Sequence, residues 1–582
     1  MFRRTKIICT IGPASDAPEQ IDALIAAGMN AARLNFSHGS IPEHRERVKR
    51  LKAARERSGK PLALMLDTRG PEVRTGNFKN GGIVLQSGAK LRISEEDVLG
   101  SEAVFSLTLK NLAEIIPVGA SILINDGLIE LQVLKVEGRD LLCEVVTGGP
   151  ITDHKSVHFP GIDLHLPAIT ETDREHLRFA VEHHFDWVAA SFIQRPEDVL
   201  AIRKHLASCG DREIKICAKI ENREGMRNFN DILKVADGIL VARGDLGVTI
   251  PEEEVPITQK KLIREAFLSG LPSITATEML DSMTRNTRPT RAEVSDVANA
   301  ILDGTSAVLL SAETASGKYP VESLQMMDRI IRYTESRIDY WRQFNENEGA
   351  GGRNLTNAIS HAACTTAMDL GAAAIITMTH TGRTARNLSH FRPACPIIAG
   401  TASPRVVHQL SISWGVQPVL TPEVSDSDDL FDSAATAARE SGIVNEGDLI
   451  VSIAGTPAGM AGTTNTLRAE TLGSTLLSGK VCCSGEATLI VGDAALLREH
   501  RISDSFRRDS NYILVAEKTS EEDLPLIREA RGIIVEDPDP DSHTVRAARS
   551  LGIPLIYGAK DAMRIISDEW MLHLNLKNGM VS

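Results

Sequence analysis

At 582 residues, with 42% hydrophobic and 24% charged side chains, the chain has the composition of a soluble globular protein with room for about four domains. Its net charge of -13 argues against nucleic acid as a partner, yet leaves room for a local basic pocket that takes an anionic metabolite. The cysteines show neither CxxC pairs nor ligand-like spacing, the apolar run Ile7–Ile11 is too short for a secretory leader, and no stretch is long enough to span a bilayer. A cytoplasmic protein with reduced thiols and no membrane partner is expected.

Apolar runs of strand length recur at Lys6–Ile11, Ala31–Phe36, Leu62–Asp67, Asp186–Phe192, Ile214–Ile220, Gly238–Ala242, Ser273–Thr277 and Ala307–Leu310. Most are followed by an amphipathic stretch, which predicts a (β/α)8 barrel over 1–71 and 167–344. The spacing breaks once. Between the third and fourth runs, 72–166 carries its own alternating segments at Ala103–Leu107, Ser121–Ile124, Leu128–Val136 and Asp140–Val146. These predict an all-β domain inserted on the barrel's C-terminal face, where it can serve as a lid.

A helix over Ser323–Phe344 leads into a Gly- and Asn-rich linker. The next α/β pattern, 345–470, has helices at Ala358–Leu370 and Thr384–Ser389 and strands at Ala374–Thr379 and Ile397–Gly400. A last α/β block, 473–582, has runs at Ala487–Val491, Tyr512–Ala516, Gly532–Val535 and Pro554–Tyr557, with a helix Thr544–Leu551 stopped by Gly552 and Pro554.

Chemistry concentrates where barrel strands end. Arg33 and Asn35, Lys219 and Glu221, and Arg243 and Asp245 are each spaced i, i+2, so on an extended strand each pair points to one side. Asp67-Thr68 ends a fourth run. Polar groups beside a core cost several kcal/mol unless they pair or bind something. One such strand fits a buried salt bridge, whereas several suggest a converging site for a metal and a phosphate. Glu221 and Asp245 are hard oxygen donors suited to Mg²⁺. Lys219 beside them supplies the point charge that phosphoryl transfer requires, and Arg33 can fork onto a phosphate. Asn35, Ser37, Asp67 and Thr68 hold only one full negative charge, which suits a monovalent cation better than a second divalent one.

Several of these segments carry a resemblance. Thr5-Lys-Ile-Ile-Cys-Thr-Ile-Gly-Pro-Ala-Ser15, Ala32-Arg-Leu-Asn-Phe-Ser-His-Gly39, Leu66-Asp-Thr-Arg-Gly-Pro-Glu-Val-Arg-Thr75, Ala218-Lys-Ile-Glu-Asn222, Val241-Ala-Arg-Gly-Asp-Leu-Gly247 and the run Arg288–Asn299 resemble pyruvate kinase, in family order, as far as about Arg468. The resemblance implies transfer of a phosphoryl group from phosphoenolpyruvate to ADP, giving pyruvate and ATP. It implies that Lys219 stabilises the group in transit, Arg33 grips the substrate phosphate, and Glu221 and Asp245 hold Mg²⁺ (or Mn²⁺). The backbone of Ala242, Arg243 and Gly244 would take the carboxylate, and the Thr277 hydroxyl would stand near the enolate carbon. Asn35, Ser37, Asp67 and Thr68 match K⁺ ligands, Glu72 matches K⁺ dependence, and His38, Arg74 and Lys155, with Asn35, match nucleotide or phosphate contacts. Asp126 is expected on the lid. Glu278, where Gln is more frequent, and Arg69, where Lys is frequent, are departures expected to be harmless.

In the second α/β domain, Thr379, Thr381, Gly382, Arg383 and Thr384 lie between a strand and a helix, a fit cradle for a phosphate. The resemblance makes it the allosteric pocket. The companion loop Gly455–Asn465 is short of side-chain cations, which favours a monophosphate, AMP or ribose 5-phosphate, over fructose 1,6-bisphosphate. A homotetramer is also implied. From Gly473 the chain resembles the phosphohistidine domain of phosphoenolpyruvate-utilising enzymes, but His543 lacks the usual glycines and sits near Asp537, Asp539 and Asp541, so a structural role is expected. Two other readings stay open: a lyase or aldolase of the phosphoenolpyruvate/pyruvate barrel class, which would not need Lys219 and a lid, and a metabolite sensor without catalysis.

Overall fold

The computed structural model describes residues 2–125, 127–162, 164, 166–346, 354–423, 427–445, 448–455, 464–472, 476–483, 489–503, 512–576 and 579–582. Eight parallel strands, β1 (Lys6–Thr10), β2 (Ala31–Asn35), β3 (Ala63–Asp67), β4 (Trp187–Ala190), β5 (Lys215–Ile220), β6 (Gly238–Ala242), β7 (Ser273–Ala276) and β8 (Ala307–Leu310), close into a barrel. Each begins and ends within two residues of its expected place. The runs read as continuously apolar because both faces are buried. One face of the alternation (Ile7, Leu34, Leu64, Val188, Ile216) packs under the surrounding helices. The other (Ile8, Ala31, Met65, Ala189, Cys217, Leu240, Ile274, Leu309) fills the barrel interior.

That inner phase decides what reaches the barrel mouth. Continuing by twos from Ala31, Met65, Ala189 and Cys217 arrives at Arg33 and Asn35, Asp67, Ser191, and Lys219 and Glu221. At the opposite end Ile412, from the following α/β domain, joins the inner cluster, and the Trp187 indole donates to the Gln409 carbonyl at 3.2 Å.

The insertion after β3 has its own apolar core, from Val73 to Phe159, and two antiparallel-rich sheets. A six-stranded sheet contains Ser121–Ile124, Ile129–Glu137 and Asp140–Thr147, and a two-stranded ribbon pairs Gly82–Leu85 with Gly149–Thr152. The single helix expected over Ser323–Phe344 is two helices, Pro320–Glu335 and Tyr340–Glu346. The break has a cause: the Glu335 carboxylate is buried and accepts from the amides of Arg4 and Thr5, while Asp339 caps the new start by accepting from the Arg342 amide at 3.0 Å.

The second α/β domain is a five-stranded sheet in the order Val416–Leu420, Ile397–Thr401, Ala374–Met378, Leu449–Gly455, Thr464–Thr471. Residues 1–443 and 451–468 form one compact unit; residues 444–450 and 469–582 form another. The latter is built on an eight-stranded sheet whose parallel centre, Leu489–Leu496, Tyr512–Ala516, Gly532–Val535 and Leu555–Tyr557, is buried. Among the described residues no helix is long and apolar enough to cross a membrane.

Candidate active site

At the barrel mouth a cavity of 170 Å³ is walled by Arg33, Asn35, Ser37, His38, Arg69, Glu72, Arg74, Ser191, Phe192, Lys219, Glu221 and Asp245. Lys219 is its centre. The Lys219 Nζ lies 2.7 Å from the Ser191 hydroxyl, 2.9 Å from Glu221 Oε1 and 3.1 Å from Asp67 Oδ1. Burial alone would lower this ammonium's pKa, but the carboxylates of Asp67, Glu221 and Asp245 outweigh it and hold the pKa above its ordinary value.

Arg33 is fixed by its own pairings. Its Nε donates to Asp67 Oδ2 at 2.7 Å and one terminal nitrogen donates to the Thr10 hydroxyl at 2.9 Å. Asp67 is fully buried. Desolvation pushes its pKa up, but Arg33 and Lys219 more than reverse that and leave it below the ordinary carboxylate range. Glu221 goes the other way: burial, joined by repulsion from Asp245, raises its pKa despite Lys219 and the Phe192 amide, which donates to its carboxylate. A buried acid held against ionisation beside a second carboxylate is what a divalent cation would relieve, so Glu221 and Asp245 fit that group. No cluster of three or more His, Cys, Asp or Glu side chains able to hold a metal occurs among the described residues, so a cation there would complete its shell with other oxygens.

Not every expected residue faces this cavity. The strand pattern was carried one pair too far at Arg243: β6 ends at Ala242, and Arg243–Thr249 is helical, so Arg243 and Asp245 do not share a strand face. The Arg243 guanidinium turns to Asp296, bonding both oxygens at 2.7 and 2.6 Å, and to the Thr277 carbonyl at 2.6 Å. Asp245, in the first turn, still reaches the cavity wall. Thr277 stands in the left-handed region (φ 70°), costly for a β-branched residue; its hydroxyl accepts from the Gly244 amide at 2.8 Å and donates to the Ala276 carbonyl at 2.6 Å. Glu278 is exposed.

The oxygens assigned to a monovalent cation have present partners. Asn35 Oδ1 accepts from the Ser37 amide at 3.0 Å, and Thr68 Oγ1 accepts from the Ser191 amide at 3.1 Å. On the lid side, Arg74 pairs with Glu72 at 2.7 Å and donates to the His154 carbonyl at 3.1 Å. Desolvation, with Arg74 and Arg33 nearby, lowers the His38 pKa. Lys155 is half-buried on the lid and its backbone pairs with Thr75, but its side chain is outside this cavity's wall. Asp126 lies outside the described residues.

Sequence reasoning missed Ser191, Phe192 and Asp296. Ser191 carried the same signal as the others, a polar residue closing an apolar run. Asp296 carried none, since only folding brings it to Arg243.

In the second α/β domain, Gly382 takes a positive φ of 75° and its amide donates to Thr379 Oγ1 at 3.1 Å, starting the helix Arg383–His390. Thr384 contacts the Thr464 hydroxyl at 3.0 Å, the Thr381 carbonyl accepts from Arg386, and Arg383 is exposed. Residues 456–463, most of the companion loop, lie outside the described residues. In the C-terminal unit, His543 opens the helix His543–Leu551 and its Nδ1 lies 3.1 Å from the Thr519 hydroxyl.

A parallel (β/α)8 barrel that gathers a buried lysine, an arginine and the side chains of Asp67, Glu221 and Asp245 at its C-terminal mouth is built as an enzyme acting on an anion. Family models make this specific: residues 2–324 match the pyruvate kinase barrel domain, 357–469 the pyruvate kinase alpha/beta domain, and 508–579 the mobile domain of PEP-utilising enzymes. Relatives named pyruvate kinase include one from Geobacillus stearothermophilus, 43% identical over 98% of this chain and 96% of its own. Others come from Sporosarcina psychrophila (41%, over 100% and 99%) and Staphylococcus aureus strain USA300 (42%, over 100% and 99%). The chain belongs to the pyruvate kinase family, a family of phosphotransferases.

Proposed function

We propose that this protein transfers the phosphoryl group of phosphoenolpyruvate to ADP through the residues around Lys219, under control of a phosphorylated effector. The observation that carries the assignment is the Lys219 amine, 2.9 Å from Glu221 and 3.1 Å from Asp67, facing the same cavity as Arg33, Glu221 and Asp245. Lys219 holds its proton more tightly than a free lysine does. Its part is electrostatic: it faces the oxygens on which negative charge builds as the phosphoryl group moves. Arg33, locked by Asp67 and Thr10, offers its remaining N–H groups to the substrate phosphate at no cost in reordering. Thr277 and the Gly244 amide form a hydroxyl–amide pair at the end of β7, suited to the carboxylate end of the substrate and the carbon that must be protonated. When bound by Glu221 and Asp245, Mg²⁺ would neutralise phosphate charge. K⁺ at Asn35, Ser37, Asp67 and Thr68 would add a weaker positive field.

Arg74, His38 and Lys155 are assigned to the nucleotide and the transferred phosphate. The Thr379–Thr384 loop, with its helix start and exposed Arg383, is assigned to the effector. A monophosphate, AMP or a sugar monophosphate, is preferred because the companion loop Gly455–Asn465 is short of side-chain cations. A homotetramer would couple this pocket to the barrel. The test is pyruvate release from phosphoenolpyruvate and ADP with Mg²⁺, with and without K⁺, titrated in parallel with ribose 5-phosphate, AMP and fructose 1,6-bisphosphate. Turnover raised by K⁺ and a phosphoenolpyruvate curve shifted left by a monophosphate are expected. Stimulation by the bisphosphate alone would refute the effector assignment, and no turnover would refute the catalytic one.

A further inference from the structure

Adjacent residues of a strand send their side chains to opposite faces, which ordinarily keeps neighbouring cysteines apart. In the C-terminal unit, Cys482 ends the strand Lys480–Cys482, and Cys483 takes a left-handed φ of 60°, uncommon for any residue but glycine. That turn brings the second side chain back beside the first, so the two sulfurs lie 3.0 Å apart. They stand within about 1 Å of the covalent S–S length of about 2.05 Å. Backbone held in a sparsely populated region is a mark of sites with a use for it.

The surroundings differ from those of the structural thiols. Cys9, Cys143, Cys217 and Cys364 are buried, and burial raises the pKa of each, as in inert cysteines. Cys482 shares an apolar cluster with Val545, Ala548 and Leu555, yet its sulfur bonds to the guanidinium of Arg549, which is exposed. The sulfur therefore lies at the margin of that core. Burial and the bond to Cys482 push the Cys483 thiol up to about 11, so the proton between the two sulfurs rests on Cys483. Cys482 has a cation on one side and an S–H donor on the other, the setting in which a thiolate attacks an electrophile.

We propose that Cys482 and Cys483 are a modification site, closed by hydrogen peroxide into a disulfide between neighbouring residues and reopened by a small dithiol. The Cys482 thiolate attacks one peroxide oxygen. An S–O bond forms, the O–O bond breaks, and the leaving oxygen takes up a proton to become water, so that Cys482 is a sulfenic acid. The Cys483 sulfur then attacks the Cys482 sulfur. The S–S bond forms, the S–O bond breaks, and hydroxide leaves with the Cys483 proton as water. Two thiols lose two electrons, and one hydrogen peroxide becomes two waters. Neighbouring Cα atoms across a trans peptide are about 3.8 Å apart, short of the roughly 4.4–6.8 Å usual for a disulfide, so the bond is strained and easily reduced. It suits a reversible mark rather than a structural link.

The experiment uses the full chain, reduced and desalted, with hydrogen peroxide as oxidant and dithiothreitol as reductant. The tryptic peptide Val481–Arg498 carries both cysteines, and Cys209, the other partly exposed cysteine, serves as the internal control. Peroxide should make this peptide two hydrogens lighter and close it to iodoacetamide about tenfold faster than it blocks Cys209. Dithiothreitol should restore both thiols. Arg549→Gln, at an exposed position, should slow the closure about tenfold. Cys483→Ser removes the resolving thiol, so Cys482 should gain oxygen and pass to the sulfinic acid. A wild-type peptide that gains oxygen, links to a different cysteine, reacts no faster than Cys209, or closes at an unchanged rate in Arg549→Gln would each overturn the proposal. None of these readouts uses turnover, so they stand or fall apart from the catalytic assignment.

Discussion

The two ends of the barrel bury charge in different ways. At the mouth, Arg33, Asp67, Lys219 and Glu221 come from three strands, bond mainly to one another, and leave donors and acceptors facing a shared cavity. At the opposite end, charged groups bond to backbone. Lys6 Nζ donates to the Val416 carbonyl at 2.7 Å, Asp186 accepts from the Leu64 amide at 2.8 Å, and Arg392 donates to the Gly304 carbonyl at 2.8 Å. One end turns donors and acceptors toward a cavity, as a site for chemistry must, whereas the other turns charged groups into the docking of the α/β domain and leaves Arg392 Nε and Nη1 buried without hydrogen-bond partners. Burial of a charge is therefore a poor guide to function by itself; where the remaining lone pairs and protons point is the better one.

That contrast can be broken most sharply at the mouth. Lys219→Ala removes a preorganised cation and should lower kcat by about 10²–10³. Arg33→Lys keeps the charge but loses the fork to Asp67 and Thr10, and kcat/KM should fall about 10- to 100-fold, the worth of a charged hydrogen bond. At the other end Trp187→Phe deletes the indole bond to Gln409. It should cost about 1–3 kcal/mol in urea unfolding and leave kcat within a factor of about two.

The last effect is a slope. Burial raises the pKa of Asp186 to about 7 against the pull of the Leu64 amide and Arg55. Because the folded value lies above the unfolded 3.8, the folded state binds the extra proton. This group's stabilising contribution is present in full below pH 4 or so and is lost as pH rises through about 7. Asp186→Asn should flatten that part of the stability profile, measured as urea midpoint against pH; an unchanged profile would show that Asp186 is ionised throughout.

Much of this was legible in the sequence, for a physical reason. The barrel strands are buried on both faces, so each reads as an unbroken apolar run, and the polar residues that end them mark the mouth. The strand pair Gly82–Leu85 and Gly149–Thr152 was not legible: only Leu85 and Ile151 are buried, so no alternation announces it. Arg243 was misplaced because alternation has no marker for the residue at which a strand gives way to a helix. The partners of the site charges, Ser191 for Lys219 and Asp296 for Arg243, lie 28 and 53 residues away and meet only in the folded chain.

The central claim is that the Lys219 cation carries phosphoryl transfer at the barrel mouth. Pyruvate formation from phosphoenolpyruvate and ADP, compared between the wild-type protein and a Lys219→Ala variant shown to be folded by circular dichroism, tests it most directly. The account predicts turnover in the first and a loss of about 10²–10³ in the second. Equal turnover in the two proteins would contradict it.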